Sequence, residues 1–134
     1  MFITMFWASL DVTTGVLRYS NGGHNPGLLL RASGEAEWLQ EGGTILGMLQ
    51  GLPYACGQTV MNPGDRLILY SDGVTEAMNG GGDLFDEEGL LRVARAAEGQ
   101  SPGDLIQTIL AAVKAHEGGL PPGDDKTLLI TARE

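Results

Sequence analysis

"DRLILYSDGVTEAM", residues 65 to 78, runs through the apolar stretch Leu67 to Tyr70 and stops abruptly at Ser71-Asp72-Gly73. Launched by the strong turn signal Asn62-Pro63-Gly64-Asp65, Arg66 to Tyr70 reads as a buried strand that finishes on a carboxylate. "DDKTLLITA", Asp124 to Ala132, has the opposite order, with carboxylates first and a strand after them. If the two strands are antiparallel neighbours, the end of one lies beside the start of the other, and Asp72, Asp124 and Asp125 converge on one rim. Carboxylates crowded within a few Å cannot all stay ionised without a compensating cation. An oxygen-only cluster suits Mg²⁺ or Mn²⁺. The same residues also read as a turn dipeptide, Asp72-Gly73, and a solvated loop after Pro121-Pro122-Gly123, and pattern alone leaves both readings open.

Upstream of this stretch the chain is β. "DVTTG" at 11 to 15 separates two apolar runs, so Thr4 to Leu10 and Val16 to Ser20 form a hairpin. Strands follow at Gly27 to Arg31, at Glu35 to Leu39 after the Ser33-Gly34 turn, and at Tyr54 to Met61. In the opening MFITMFWASL both alternating sets, Phe2/Phe6/Ala8/Leu10 and Ile3/Met5/Trp7, are mostly apolar, as in a strand covered on both faces. The chain is therefore expected to begin inside a core and to lack neighbours upstream. Left uncovered, Phe2, Met5, Phe6 and Trp7 would favour a homodimer.

Downstream the period changes. Leu90, Val93, Ala94 and Ala97 recur at helical spacing and predict a helix from about Glu87 to Glu98. Ser101-Pro102-Gly103-Asp104 supplies an N-cap, a first-turn proline and an acid, and Leu105, Ile109, Ala112 and Val113 give the second helix its buried stripe before Gly118-Gly119 ends it. Between the halves, Asn79 to Asp83 reads either as a flap beside the rim or as a plain surface loop.

With 134 residues, 43% of them hydrophobic, the chain suits one domain or part of one. Eight basic residues against 17 acidic ones give a net charge of −9, which disfavours nucleic acid and anionic membrane and favours cationic partners, metal ions included. The opening apolar run has no basic flank and falls short of the ~20 residues a spanning helix needs, so neither a targeting segment nor a membrane span is expected. The lone Cys56 forms no intrachain disulfide, reads as a small core residue, and fits a reducing, cytoplasmic compartment.

Four stretches in order, "YSNGGHNPGLLL", "GGTILGML", "LILYSDGVTEAMN" and "GDDKTLLI", resemble the SpoIIE-like or RsbU-like branch of the PPM-type metal-dependent protein phosphatases across residues 1 to 134. The resemblance implies an α+β fold, a β-sandwich flanked by helices. It also implies a centre of two Mn²⁺ or Mg²⁺ ions that activates water to hydrolyse phosphoserine or phosphothreonine without a protein nucleophile. Carried over by motif, Asp72 and Asp124 are the metal ligands and Asp125 a weaker candidate. His24 stands where other branches carry an acid, so it is a candidate for an outer contact with metal or substrate; it also reads as a turn histidine bonded to backbone. His116, at a helix end, complements the helix dipole. The expected partner is a phosphorylated regulatory protein of the anti-sigma factor antagonist type.

The family's two further acidic motifs, which precede the opening strand, have no counterpart here: "GGHNPG" shares a Gly-His pair with one but lacks its Asp. Residues 1 to 134 thus read as the C-terminal half to two-thirds of a single phosphatase domain, inactive or weakly active as such. The alternative is a non-catalytic module of the same fold that binds a protein partner.

Overall fold

The computed structural model describes residues 1–134, which fall into two units: Met1–Leu67 with Arg133–Glu134, and Ile68–Ala132. The fold is mixed α+β, its strands gathered in sheets and joined by three helices.

In the first unit, β1 (Met5–Leu10) and β2 (Val16–Gly22) form the expected antiparallel hairpin, in register from Met5 opposite Gly22 to Leu10 opposite Leu17. Asp11 holds the turn by accepting from the backbone N–H groups of Thr13 and Thr14 at 2.9 and 3.2 Å. β3 (Gly27–Leu30) and β4 (Ala36–Leu39) pair antiparallel about a left-handed Gly34, as the Ser33-Gly34 signal predicts. Leu28, Leu29 and Leu30 are all buried, the unbroken apolar run of a strand covered on both faces.

β5 (Gly42–Gly43), not foreseen, runs parallel to β2 with Asn21 opposite Gly42. A Cβ on Gly42 would sit 1.8 Å from the Asn21 carbonyl oxygen, so the pairing needs glycine. β6 (Gly57–Val60) is shorter than the predicted Tyr54 to Met61 and pairs antiparallel with Val16–Tyr19 of β2, on the edge that β5 also uses. Residues before it are tethered by backbone, Ala55 N–H to the Gly42 carbonyl and Ser20 Oγ to the Ala55 carbonyl, outside any strand. Cys56 consequently is exposed, which corrects its reading as a core residue.

The opening strand does not lie inside a core, but it shows the uncovered apolar side chains expected of it. β1 lies at the end of its sheet with β2 as its one paired neighbour, and Phe2 and Trp7 are 62% and 46% exposed. Phe6 alone of its aromatics is substantially covered, stacked on Tyr19 at 5.9 Å. The strand is apolar on both faces, yet much of it is not buried.

Around Arg31 the first unit ties its strand ends together with charge. Its guanidinium donates to Asp65 Oδ2 at 2.8 Å, Glu37 Oε2 at 2.7 Å, Thr59 Oγ1 at 2.9 Å and the Val60 carbonyl. Asp65 is 2% exposed and also accepts from the backbone N–H groups of Ala32 at 3.0 Å and Asn62 at 2.8 Å. Burial pushes its carboxyl pKa up, but the Arg31 guanidinium and those N–H groups outweigh burial and hold it below the usual carboxylate value.

The second unit takes the end of β7 (Arg66–Tyr70), then α1 (Asp72–Thr75), α2 (Asp86–Ala96), α3 (Pro102–Glu117) and β8 (Leu128–Ala132). Both long helices fall close to their predicted spans. α3 starts as expected, with Ser101 Oγ accepting from Asp104 N–H at 3.2 Å and Pro102 in its first turn, and it ends on a left-handed Gly118. Leu90 and Ala94 of α2 and Leu105, Ile109 and Val113 of α3 are buried with Ile68 and Val74. The Asn79–Asp83 stretch is a tied turn rather than an open flap: Asn79 Oδ1 accepts from Gly81 and Asp83 N–H, both at 2.9 Å, and Met78 bridges to Leu84. His116, at the end of α3, reaches the Asp83 carbonyl with Nε2 at 2.9 Å and meets the Phe85 ring edge-on, so it fastens this turn in addition to any part in the dipole.

Candidate metal centre

β7 and β8 are sheet neighbours, and their chain directions are opposite: Ser71, just after β7, bonds Thr127, just before β8, whereas Arg133 after β8 donates to Asp65 before β7. The antiparallel condition on which the sequence argument turned is therefore met, and "SDG" and "DDKT" share one rim.

Three contacts lock that rim. The Ser71 N–H donates to the Thr127 carbonyl at 3.1 Å. Ser71 Oγ accepts from the Thr127 N–H at 2.9 Å and donates to the Asp125 carbonyl at 3.2 Å. Gly73 then lies so close that a Cβ there would fall 2.0 Å from the Asp125 carbonyl oxygen and 3.0 Å from that of Asp124. Only glycine permits this approach, which gives the Gly of the Asp-Gly pair a packing reason independent of turn propensity. Asp72 itself opens a single helical turn, preceded by Ser71 in extended conformation and closed by the Glu76 N–H on the Asp72 carbonyl at 2.8 Å.

Asp72, Asp124 and Asp125 are all exposed on this rim. The Asp124 carboxylate accepts from the Asp125 N–H at 2.8 Å, which shapes the loop ahead of Thr127. Their hard anionic oxygens are the donor type that Mg²⁺ and Mn²⁺ take. Their number is smaller than a metal site needs: no three His, Cys, Asp or Glu side chains converge on a point where they could hold an ion. The residues present therefore do not make a metal site by themselves.

His24 belongs to the first unit and is held in a side-chain-bonded turn. Its N–H donates to Asn21 Oδ1 at 2.7 Å, its carbonyl accepts from Asn21 Nδ2 at 2.9 Å, and its Nδ1 lies 3.2 Å from Thr4 Oγ1. The bonds to Asn21 are those of a turn, and the contact of the ring with the Thr4 hydroxyl is side chain to side chain.

Sequence reasoning passed over Ser71 and the pair Glu117–Lys126. Lys126 Nζ lies 3.3 Å from both carboxylate oxygens of Glu117, which is 8% exposed at the end of α3. This pair anchors the segment after Asp124 to the helix. The signal for Ser71 was its place before Asp-Gly; nothing in a helix-terminal Glu marks a partner nine residues on. Beside the rim lies a cavity of about 320 Å³ reached by Glu76, Met78, Glu117, Leu120 and Asp124.

Relatives match this arrangement along the whole chain. The family model described as stage II sporulation protein E (SpoIIE) matches residues 1–134. Protein IcfG of Synechocystis sp. is 29% identical over 133 residues, 99% of this chain and 21% of IcfG. The phosphoserine phosphatase RsbU of Bacillus subtilis is 29% identical over 136 residues, 100% of this chain and 40% of RsbU. The chain thus spans less than half the length of these curated relatives. The phosphatase domain of the cell fate determinant SpoIIE from Bacillus subtilis, solved after presoaking with manganese, superposes with a TM-score of 0.75 over 96% of this chain and 55% of that one, at 17% identity. At that identity the likeness is one of fold, and it is the fold that carries "SDG" and "DDKT" to a common rim. With the family model matched from its first residue to its last, this chain belongs to the SpoIIE family of phosphatase domains.

Proposed function

We propose that residues 1–134 are the C-terminal part of a PPM-type phosphatase domain that hydrolyses phosphoserine or phosphothreonine on a regulatory protein, with Asp72 and Asp124 as this chain's share of a two-ion Mn²⁺ or Mg²⁺ centre. The observation that carries this reading is the locked rim: Ser71, Gly73 and Thr127 hold the Asp72 and Asp124 segments in backbone contact. Family membership over the full chain supports the reaction class, and the RsbU relative is by name a phosphoserine phosphatase. Asp72 and Asp124 would hold divalent ions in such a centre together with further ligands, and the chemistry so supplied would be a water of lowered pKa for attack on phosphorus.

What this chain contributes is position. Ser71 spends its hydroxyl on both a donor and an acceptor of the 125–127 segment and so fixes the rim. Asp72 sits exposed in the first turn of α1, and the Asp124 carboxylate, also exposed, accepts from the N–H of the next residue. Asp125 holds the adjoining place and is the lesser candidate. A phosphorylated partner of the anti-sigma factor antagonist type fits the same family reading.

Electron paramagnetic resonance of Mn²⁺ titrated into the chain tests the assignment. With two carboxylates available, weak binding is expected, lost in both Asp72→Asn and Asp124→Asn, and phosphate release from a phosphoserine peptide is expected to be slow or absent. Mn²⁺ binding that survives both substitutions overturns the ligand assignment. Rapid, EDTA-sensitive turnover by the 134-residue chain would show that two carboxylates suffice.

A further inference from the structure

The cavity beside the rim has walls of two kinds. Glu76, exposed just after α1, carries negative charge, as does Asp124 when it holds no ion, whereas the charge of Glu117 is matched by Lys126. No Lys, Arg or His lines it. Met78 and Leu120, 50% and 47% exposed, give it aliphatic sides together with Pro121. Its volume of about 320 Å³ lies at the low end for ligand pockets, enough for one long side chain and too little for a large cofactor.

A lysine or arginine side chain carries both matching surfaces, an apolar stem and a cationic tip. Met78 is the flexible kind of wall that adapts to such a stem. The Glu117–Lys126 pair is neutral as a whole, so the unbalanced charge of the lining is left with Glu76, Asp124 being assigned to the ion centre. We propose that this cavity is a specificity pocket for a basic side chain of the phosphorylated polypeptide, one near the phosphoresidue. The proposal rests on the phosphatase reading only for the identity of that polypeptide, because Asp124 belongs both to the pocket and to the rim.

The test uses the 134-residue chain and a probe without phosphate or metal: N-acetyl-arginine methylamide, titrated by amide chemical shifts at about 0.15 M salt, where charges beyond ~8 Å are screened. N-acetyl-norleucine methylamide, a similar stem without the cation, is the control. The arginine probe is expected to shift Glu76, Met78 and Leu120 in a saturable manner and to bind more tightly than the norleucine probe. Glu76→Gln should weaken it about threefold, the size of one partly exposed ion pair, whereas Glu88→Gln on α2 should leave it unchanged. Leu120→Asn should weaken both probes.

Shifts spread over the acidic surface, equal binding of the two probes, or equal effects of Glu76→Gln and Glu88→Gln would each overturn the pocket. These outcomes are independent of hydrolysis. A chain that binds the arginine probe at the pocket but whose Mn²⁺ binding ignores Asp72 and Asp124 would refute the metal assignment and leave the pocket standing.

Discussion

Asp65 and Asp72 flank the same strand, β7, and they are used in opposite ways. Asp65 is buried, bonded to Arg31 and to two backbone N–H groups, and its charge is consumed by structure. Asp72 is exposed, and the residues on either side of it, Ser71 and Gly73, make the contacts that hold the rim. The lesson is that a carboxylate at a strand boundary is neither structural nor chemical by position. What separates the two is burial: Asp65 is enclosed among its partners, whereas Asp72 opens a helical turn at the surface.

The largest expected effect breaks the comparison if it fails. Asp65→Ala should cost about 3 kcal/mol, because it removes at once one of the two carboxylate partners of Arg31 and the acceptor of two part-buried N–H groups. Asp72→Asn should change stability by less than about 0.5 kcal/mol, as an exposed substitution does. Urea unfolding of the two variants measures both, and equal losses would erase the distinction.

Next in size is Gly73→Ala. The added methyl would meet the Asp125 carbonyl at 2.0 Å, so the rim must part, at a cost of about 2 kcal/mol. Hydrogen exchange at the Thr127 amide should quicken markedly in this variant. Unchanged protection there would mean that the two segments are not held together.

Acid sharpens the contrast. Asp65 has its pKa depressed in the folded chain, so between the folded and unfolded values the unfolded state binds more protons and stability rises with pH. Its contribution is complete above the unfolded value of about 3.9 and is lost as pH falls toward the folded one. Stability measured from about pH 5 downward should fall, and in Asp65→Asn this part of the slope should vanish. A slope that persists would assign the acid sensitivity elsewhere.

The smallest effect concerns the clamp itself. Ser71→Ala removes one accepted and one donated bond at an accessible position and should cost about 1 kcal/mol while weakening Mn²⁺ binding through misplacement of the rim. Stability unaltered together with unaltered Mn²⁺ binding would show that Gly73 alone sets the rim.

Much of this was legible in the order of residues because it is local. Ser101 and Pro102 mark the start of α3 and Gly118 its end through the backbone needs of a helix terminus, and Asn62 to Asp65 mark a turn through glycine and proline conformation. The apolar run ending at Asp72 and the carboxylates opening the last strand were likewise plain, since two-residue alternation and its breaks are written in sequence. Whether those two ends meet is a question of pairing. It was decided by the Ser71–Thr127 bonds and by the room that Gly73 leaves for the Asp124–Asp125 backbone. The exposure of β1 and of Cys56, the partnership of Glu117 with Lys126 and the capture of Asp65 by Arg31 also belong to tertiary structure. Each depends on what stands beside a residue across a long loop, and hydrophobic pattern reports only which residues can be buried.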